Sequence, residues 1–323
     1  MTRLGELKRG WVILVACTIA LGVSVIVLPI YTAGVFMRAL NLEYGWSFGA
    51  MSVAPALVSG IAALTAPIVG ALIDKIGAKD IAPLSLAASA VVYVGLSLFT
   101  TQIWLFWLGY AILAVVGAGC ATVTLSRILA TQFYRARGAA LAVAMAGIGV
   151  ASALAPALIQ SVIGEHGWRS AYLVLALVLA LAVPVIGIPL RMKRMEIGNP
   201  NEGDTSPTAH VSVQMADVVR VPVFWMMAVI YPIISLAVVG MIVHFVPMMT
   251  GLGVATERAA MQAGAIGVAV IICRLLIGAL IDRVFSPHVA AAAMGLSAAG
   301  LCVFLIDPRS EERRVGKECR SRW

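Results

Sequence analysis

Two arginines stand where an apolar chain has least reason to hold them. Arg274 lies in "CRLLIGALID" and Arg127 in "TLSRILATQF", each within or beside a long run of small and aliphatic residues. A guanidinium stays charged and offers a planar fork of N–H donors that matches a carboxylate at two points, so the chemistry on offer is anion recognition. Two other roles stay open for Arg274, a helix carbonyl or an acid on another helix as its partner. For Arg127 they are snorkelling to an interface or pairing with Asp74. Tyr31 can add a hydroxyl and an aromatic wall, and His244, in "VHFVP", can bind a ligand or satisfy a neighbour. No acid falls mid-way along the apolar runs, and neither a Ser/His/Asp nor a Cys/His constellation, phosphate loop or metal-ligand spacing occurs. No enzyme, cofactor or metal site is therefore expected.

The elements that carry these residues are set by composition. With 61% hydrophobic and 12% charged residues in 323, and a mean hydropathy of +1.00, the chain lacks the polar surface a soluble domain needs. Crossing about 30 Å of hydrocarbon takes a helix of about 20 residues. Nine such spans are expected, at 11–31, 46–73, 80–99, 103–130, 139–163, 170–190, 222–249, 259–281 and 287–306. Their continuous apolarity excludes membrane strands, which alternate. The basic start at Arg3, Lys8 and Arg9 precedes an apolar run too long for a cleaved signal, so the first helix is read as retained.

Basic residues orient the chain. A cytoplasmic N-terminus puts twelve inside (Arg3, Lys8, Arg9, Lys75, Lys79, Arg135, Arg137, Arg191, Lys193, Arg194, Arg220 and Arg283) against three outside, Arg38, Arg169 and Arg258. A multi-pass protein of the plasma (inner) membrane follows, and the net charge of +8 is mostly topology, with no basic-aromatic patch for nucleic acid. Cys17, Cys120, Cys273 and Cys302 fall in spans without paired spacing and read as small packers.

One polar stretch, 191–221, interrupts the pattern and reads as a linker. "GALIDK" closes the second span after the N-terminus, and "GALIDR", 208 residues later, closes the second span after the linker. The same punctuation in equivalent slots implies a parallel duplication of helical units. The expected organisation is a six-helix unit over 1–190, the linker 191–221 and three further helices over 222–308. Under the 208-residue shift Arg274 aligns with Ala66, so the repeat itself does not demand a cation there.

Gly70, Leu72, Asp74, Lys75, Gly77 and Lys79 match the pattern G-x-L-a-D-[RK]-[FYI]-G-x-[RK] between the second and third helices of the major facilitator superfamily, which this chain resembles. "FYRARGAALAVAMAGIGVASALAP", "GWRSAYLVLA", "HFVPMMTGLGV" and "CRLLIGALIDR" are similar to bacterial relatives of the monocarboxylate transporters and oxalate/formate antiporters, over residues 10–306. The resemblance implies an all-α integral membrane fold, alternating access and a small organic anion as substrate, a monocarboxylate first, with a coupling proton or an exchanged anion, in a monomer. It also implies that Arg274, four residues before Gly278, binds the substrate carboxylate, with Tyr31 and His244 as further site residues. Gly70, Asp74, Lys75, Gly77, Lys79, Arg127, Gly278, Asp282 and Arg283 would form a cytoplasmic gate in which Asp282 caps the fifth helix near Arg137 and Gly138.

The chain departs from these patterns in places. Leu113 stands where the fourth-helix pattern R-x-x-x-G-x-G has arginine, no Gly-Pro motif surrounds Pro156, and Val270 occupies the place of an acid one turn before Arg274. Proton coupling through an acid–arginine pair is thus in doubt. Alternatives are a porter for another solute, such as a drug, and a transporter-like membrane sensor. Residues 309–323, "RSEERRVGKECRSRW", resemble a translated sequencing adapter and break the charge rule, so the expectation is a foreign tail on a transporter lacking its last three helices, not transport-competent as it stands.

Overall fold

Without water in the bilayer core, each backbone N–H and C=O must find a partner within its own segment or its neighbours. The computed structural model describes residues 3–133, 136–191, 220–281 and 286–306, and its regular structure there is entirely helical. The first crossing is built from α1 (Arg3–Gly22) and α2 (Val27–Tyr44), the second from α3 (Phe48–Met51) and α4 (Val53–Ile76), the third from α5 (Ala78–Phe99). The fourth joins α6 (Ile103–Gly117) to α7 (Thr122–Gln132) through a 3₁₀ turn, Ala118–Cys120. Then come α8 (Arg137–Arg191), α9 (Pro222–Gly251), α10 (Thr256–Ile281) and α11 (Ser286–Ile306).

Among the described residues, seven helical segments are long and apolar enough to cross a membrane. The 55-residue α8 is two helices meeting at Gly167, whose φ of 80° and ψ of 168° suit glycine, so it supplies the fifth and sixth expected spans. The ninth expected span is helical as α11. The first crossing runs to Tyr44 rather than ending at residue 31, and Gly45, at φ 68°, closes it with an N–H donated to Asn41 O. Arg38, Asn41 and Glu43 dilute the apolar pattern there without stopping the helix. Arg38, expected in an outer loop, therefore sits on α2.

The break between α1 and α2, Val23–Ile26, has a local cause. Pro29 has no N–H, and its ring excludes the carbonyl four residues back, at Val25. Val25 fills the notch of Gly117, where the fourth crossing also leaves the α geometry. Pro232 and Pro247 lie inside an uninterrupted α9.

Side-chain bonds tie the helix ends into two faces. On one, Asp74 pairs with Arg127 at 2.7 Å, Asp80 with Arg191 at 3.0 Å, and the buried Glu6 carboxylate accepts from the Ala136 N–H at 2.9 Å. On the other, Glu43 pairs with Arg169 at 3.0 Å and accepts from the Trp168 indole, while the Tyr44 hydroxyl donates to Thr100 O at 3.0 Å. Every residue of the first set lies at the start of an odd crossing or the end of an even one, as alternation across a bilayer requires. Below these are called the basic face and the far face.

The first six crossings share a core that includes Phe36 stacked on Tyr172, centroids 4.0 Å apart, with Tyr93 and Tyr110 beside it. Asp282, Arg283, Arg135, nearly all of the expected linker and the 309–323 tail lie outside the described residues.

Candidate functional site

The first six crossings meet α9 and α10 along a seam, and glycine sets how closely. A Cβ placed on Gly34 of α2 would lie 2.7 Å from Val243 O on α9. Cβ atoms on Gly264 and Gly267 of α10 would collide with the Ala153 backbone of α8, and one on Gly149 would collide with Ile271. Small residues let helix backbones approach where lipid supplies no hydrophobic drive for association. At the far end of the seam His244 Nε2 lies 2.8 Å from Ser52 Oγ. That hydroxyl already donates to Phe48 O at 2.7 Å, so the imidazole N–H is the donor to serine.

All these contacts lie between the middle of the bundle and the far face. Toward the basic face the seam parts: a Cβ on Gly138 would meet nothing within 4 Å, and Phe224–Leu236 on α9 are exposed or half-exposed, as are Leu64, Ile68, Leu72 and Ile76 on α4.

Arg274 sits where the seam begins to part. It is half-buried on α10, seven residues before the helix end at Ile281, or about 10 Å along the axis. Its charge reaches Tyr31 of α2, whose hydroxyl is a neighbour of Ser152 on α8, and Ser152 Oγ itself donates to Gly149 O at 3.0 Å. Three crossings thus converge on one cation and two hydroxyls. Among the described residues no carboxylate comes within ion-pair distance of Arg274; the four ion pairs are Asp74–Arg127, Glu43–Arg169, Asp80–Arg191 and Glu165–His166. The arrangement is equipped to hold a small anion by charge-assisted bonds from the guanidinium and lighter contacts from the hydroxyls.

Of the three residues expected to contact substrate, the structure brings Tyr31 and Arg274 together and puts His244 elsewhere, nearer the far face against Ser52. Ser152 was not foreseen; in "GVASALAP" it reads as one more small residue, and only the packing of α8 on α2 gives it away. Asp74 and Arg127 are partners at the basic face, Lys75 is exposed beside them, and Gly77, at φ 99°, closes α4 by donating to Ile73 O at 2.8 Å. Gly70 lies on α4, Lys79 on α5 and Gly278 on α10. The N-terminus of α8, where Asp282 was expected, holds Glu6 in this state. A surface groove of about 240 Å³ between α5 and α6, lined by residues such as Val92, Leu96, Phe99 and Leu108, is apolar and lies away from Arg274.

A helical bundle that crosses the membrane many times, tight on one side and parted on the other around a lone cation, is the architecture of a carrier. Residues 12–310 match the family model of the Major Facilitator Superfamily, and the chain belongs to that family. It is a multi-pass membrane protein and a secondary transporter of small solutes. No curated protein matches the chain significantly.

Proposed function

We propose that the protein carries a small organic anion, a monocarboxylate first, by alternating access, with the N-terminus and the basic face in the cytoplasm. The observation that carries this reading is Arg274: a half-buried guanidinium without a carboxylate partner among the described residues, facing Tyr31 and Ser152 at the level where the seam opens. A cation held at mid-depth is expensive, and a substrate carboxylate supplies its missing counter-charge. The parted basic face makes this state open to the cytoplasm. The resemblance to monocarboxylate and oxalate/formate carriers supports the same substrate class. A porter of cationic drugs would want a buried acid in this position, and the described seam offers none.

Uptake of labelled lactate, formate and oxalate into proteoliposomes holding the full-length protein tests the reading. Breaking a charge-assisted pair in a low-dielectric cavity costs roughly 2–5 kcal/mol, about 30-fold to several thousand-fold in affinity, so Arg274→Ala should abolish saturable uptake. Arg274→Lys keeps the charge without the two-point fork and should recover only part. Undiminished saturable uptake by Arg274→Ala would remove the assignment.

A further inference from the structure

From Val27 to Leu40 on α2 the side chains are buried, with three exceptions: Tyr31, Arg38 and Ala39. Tyr31 and Arg38 are seven residues apart, two helical turns, and so lie on one stripe. Tyr31 marks where that stripe points, because it neighbours Ser152 on α8 and lies within reach of the charge of Arg274 on α10. A helical Cα–Cβ bond tilts toward the N-terminus of its helix, so the stem of Arg38 sets off back along α2 toward Tyr31. Its Nε is buried and has no hydrogen-bond partner among the described residues. The nearest acid in sequence is already engaged: one oxygen of Glu43 takes Arg169 and the other takes the Trp168 indole.

A turn below, Gly34 is jammed against Val243 and Pro247 of α9, so Arg38 is placed just on the far side of a close contact between α2 and α9. An unpaired guanidinium N–H in a sealed wall disfavours the sealed state and favours whatever state satisfies the donor. Opening of the far side would separate α9 from α2 and leave Arg38 on the wall of the new mouth, above Tyr31 and Arg274.

We propose that Arg38 is a second anion-binding residue, used from the far side only: it takes the substrate's carboxylate at the mouth that is sealed in this state and passes it down the stripe to Tyr31 and Arg274. The proposal rests on the reading that the protein carries an anion. It differs from it in sidedness and in the chemistry required, since recruitment at a mouth needs a charge, whereas the Arg274 site needs a fork.

The test measures half-saturation in proteoliposomes with the full-length protein, presenting on each face in turn whichever of labelled lactate, formate and oxalate the wild type accumulates. Arg38→Gln should raise KM at the far face roughly tenfold and leave KM at the basic face within about twofold. Arg38→Met, which keeps an apolar stem for packing, should do the same, and Arg38→Lys should restore most of the loss. Raising ionic strength should carry the wild type toward the Arg38→Gln value at the far face, because a steering charge is screened. An unchanged far-face KM, an equal rise at both faces, or a fall in maximal rate with KM intact would each overturn the proposal. Arg274→Ala separates the two readings: loss of uptake from both faces supports the anion site. Saturable uptake by Arg274→Ala that still responds to Arg38→Gln would sink the Arg274 site and leave Arg38 standing.

Discussion

At the residue scale the proposed site divides a strong contact from two weak ones. A neutral hydrogen bond is worth about 0.5–1.5 kcal/mol net, against several for a buried charge-assisted pair. Tyr31→Phe and Ser152→Ala should therefore raise KM by roughly two- to tenfold each with little change in maximal rate, far short of Arg274→Ala. Because the two hydroxyls are neighbours at one site, the double variant should fall short of the product of the singles. Steady-state uptake over a substrate series measures all four. Arg274 stood out in the sequence as a candidate because a cation in hydrocarbon has no cheap explanation. Tyr31 was legible only as a polar tip at a plausible depth. Ser152 was not, since a serine among alanines and glycines gains meaning only when α8 is laid against α2. His244 was conspicuous by its pattern and could bind a ligand or satisfy a neighbour, and its N–H is engaged with Ser52.

At the element scale, the sealed side depends on glycines that let the backbones of α9 and α10 come close to those of the first six crossings. "GAIG" at 264–267 shows in the sequence as a small-residue stripe, but its partners, Gly149 and Ala153, are more than a hundred residues earlier and can be found only from the crossing itself. The helices were legible from apolar length, and their ends less so. Arg38 and Glu43 made the first crossing read short, because hydropathy counts charges and cannot tell a charge facing a seam from one in a loop. Forcing a larger side chain into a filled contact costs typically 1–3 kcal/mol when the neighbours can shift. Here the shift available is separation of α10 from α8. Gly267→Leu should therefore bias the protein toward the state open at the far face, read as faster labelling of a cysteine placed at Met249 by a membrane-impermeant maleimide. Gly240→Leu, where a Cβ meets nothing within 4 Å, is the control and should leave labelling unchanged.

At the scale of the whole molecule, the Asp74–Arg127 pair bears on how the two access states are balanced. Both residues belong to the first six crossings, so the bond cannot itself clasp those crossings to α9 and α10. Their side chains are 68% and 48% exposed, and such a pair contributes only about 0–1 kcal/mol. A bond that weak holds nothing shut, but it parks a carboxylate at the basic face from which the carboxylate can leave. In the state closed at that face, Asp74 is free to take an electropositive helix terminus instead, as charge favours. The repeat proposes the same for Asp282, and Glu6 on Ala136 already illustrates a carboxylate at the start of α8 in this state. If Asp74 has this second partner, Asp74→Asn should slow turnover several-fold while leaving KM near the wild-type value, since the anion site lies deeper in the bundle. The exchange Asp74→Arg with Arg127→Asp rebuilds the ion pair with its polarity reversed, and it puts a cation where the second partner needs an anion. Maximal uptake rate in proteoliposomes should therefore stay low in the exchange variant, and full recovery of the rate would show that the pair inside the bundle is all that Asp74 serves.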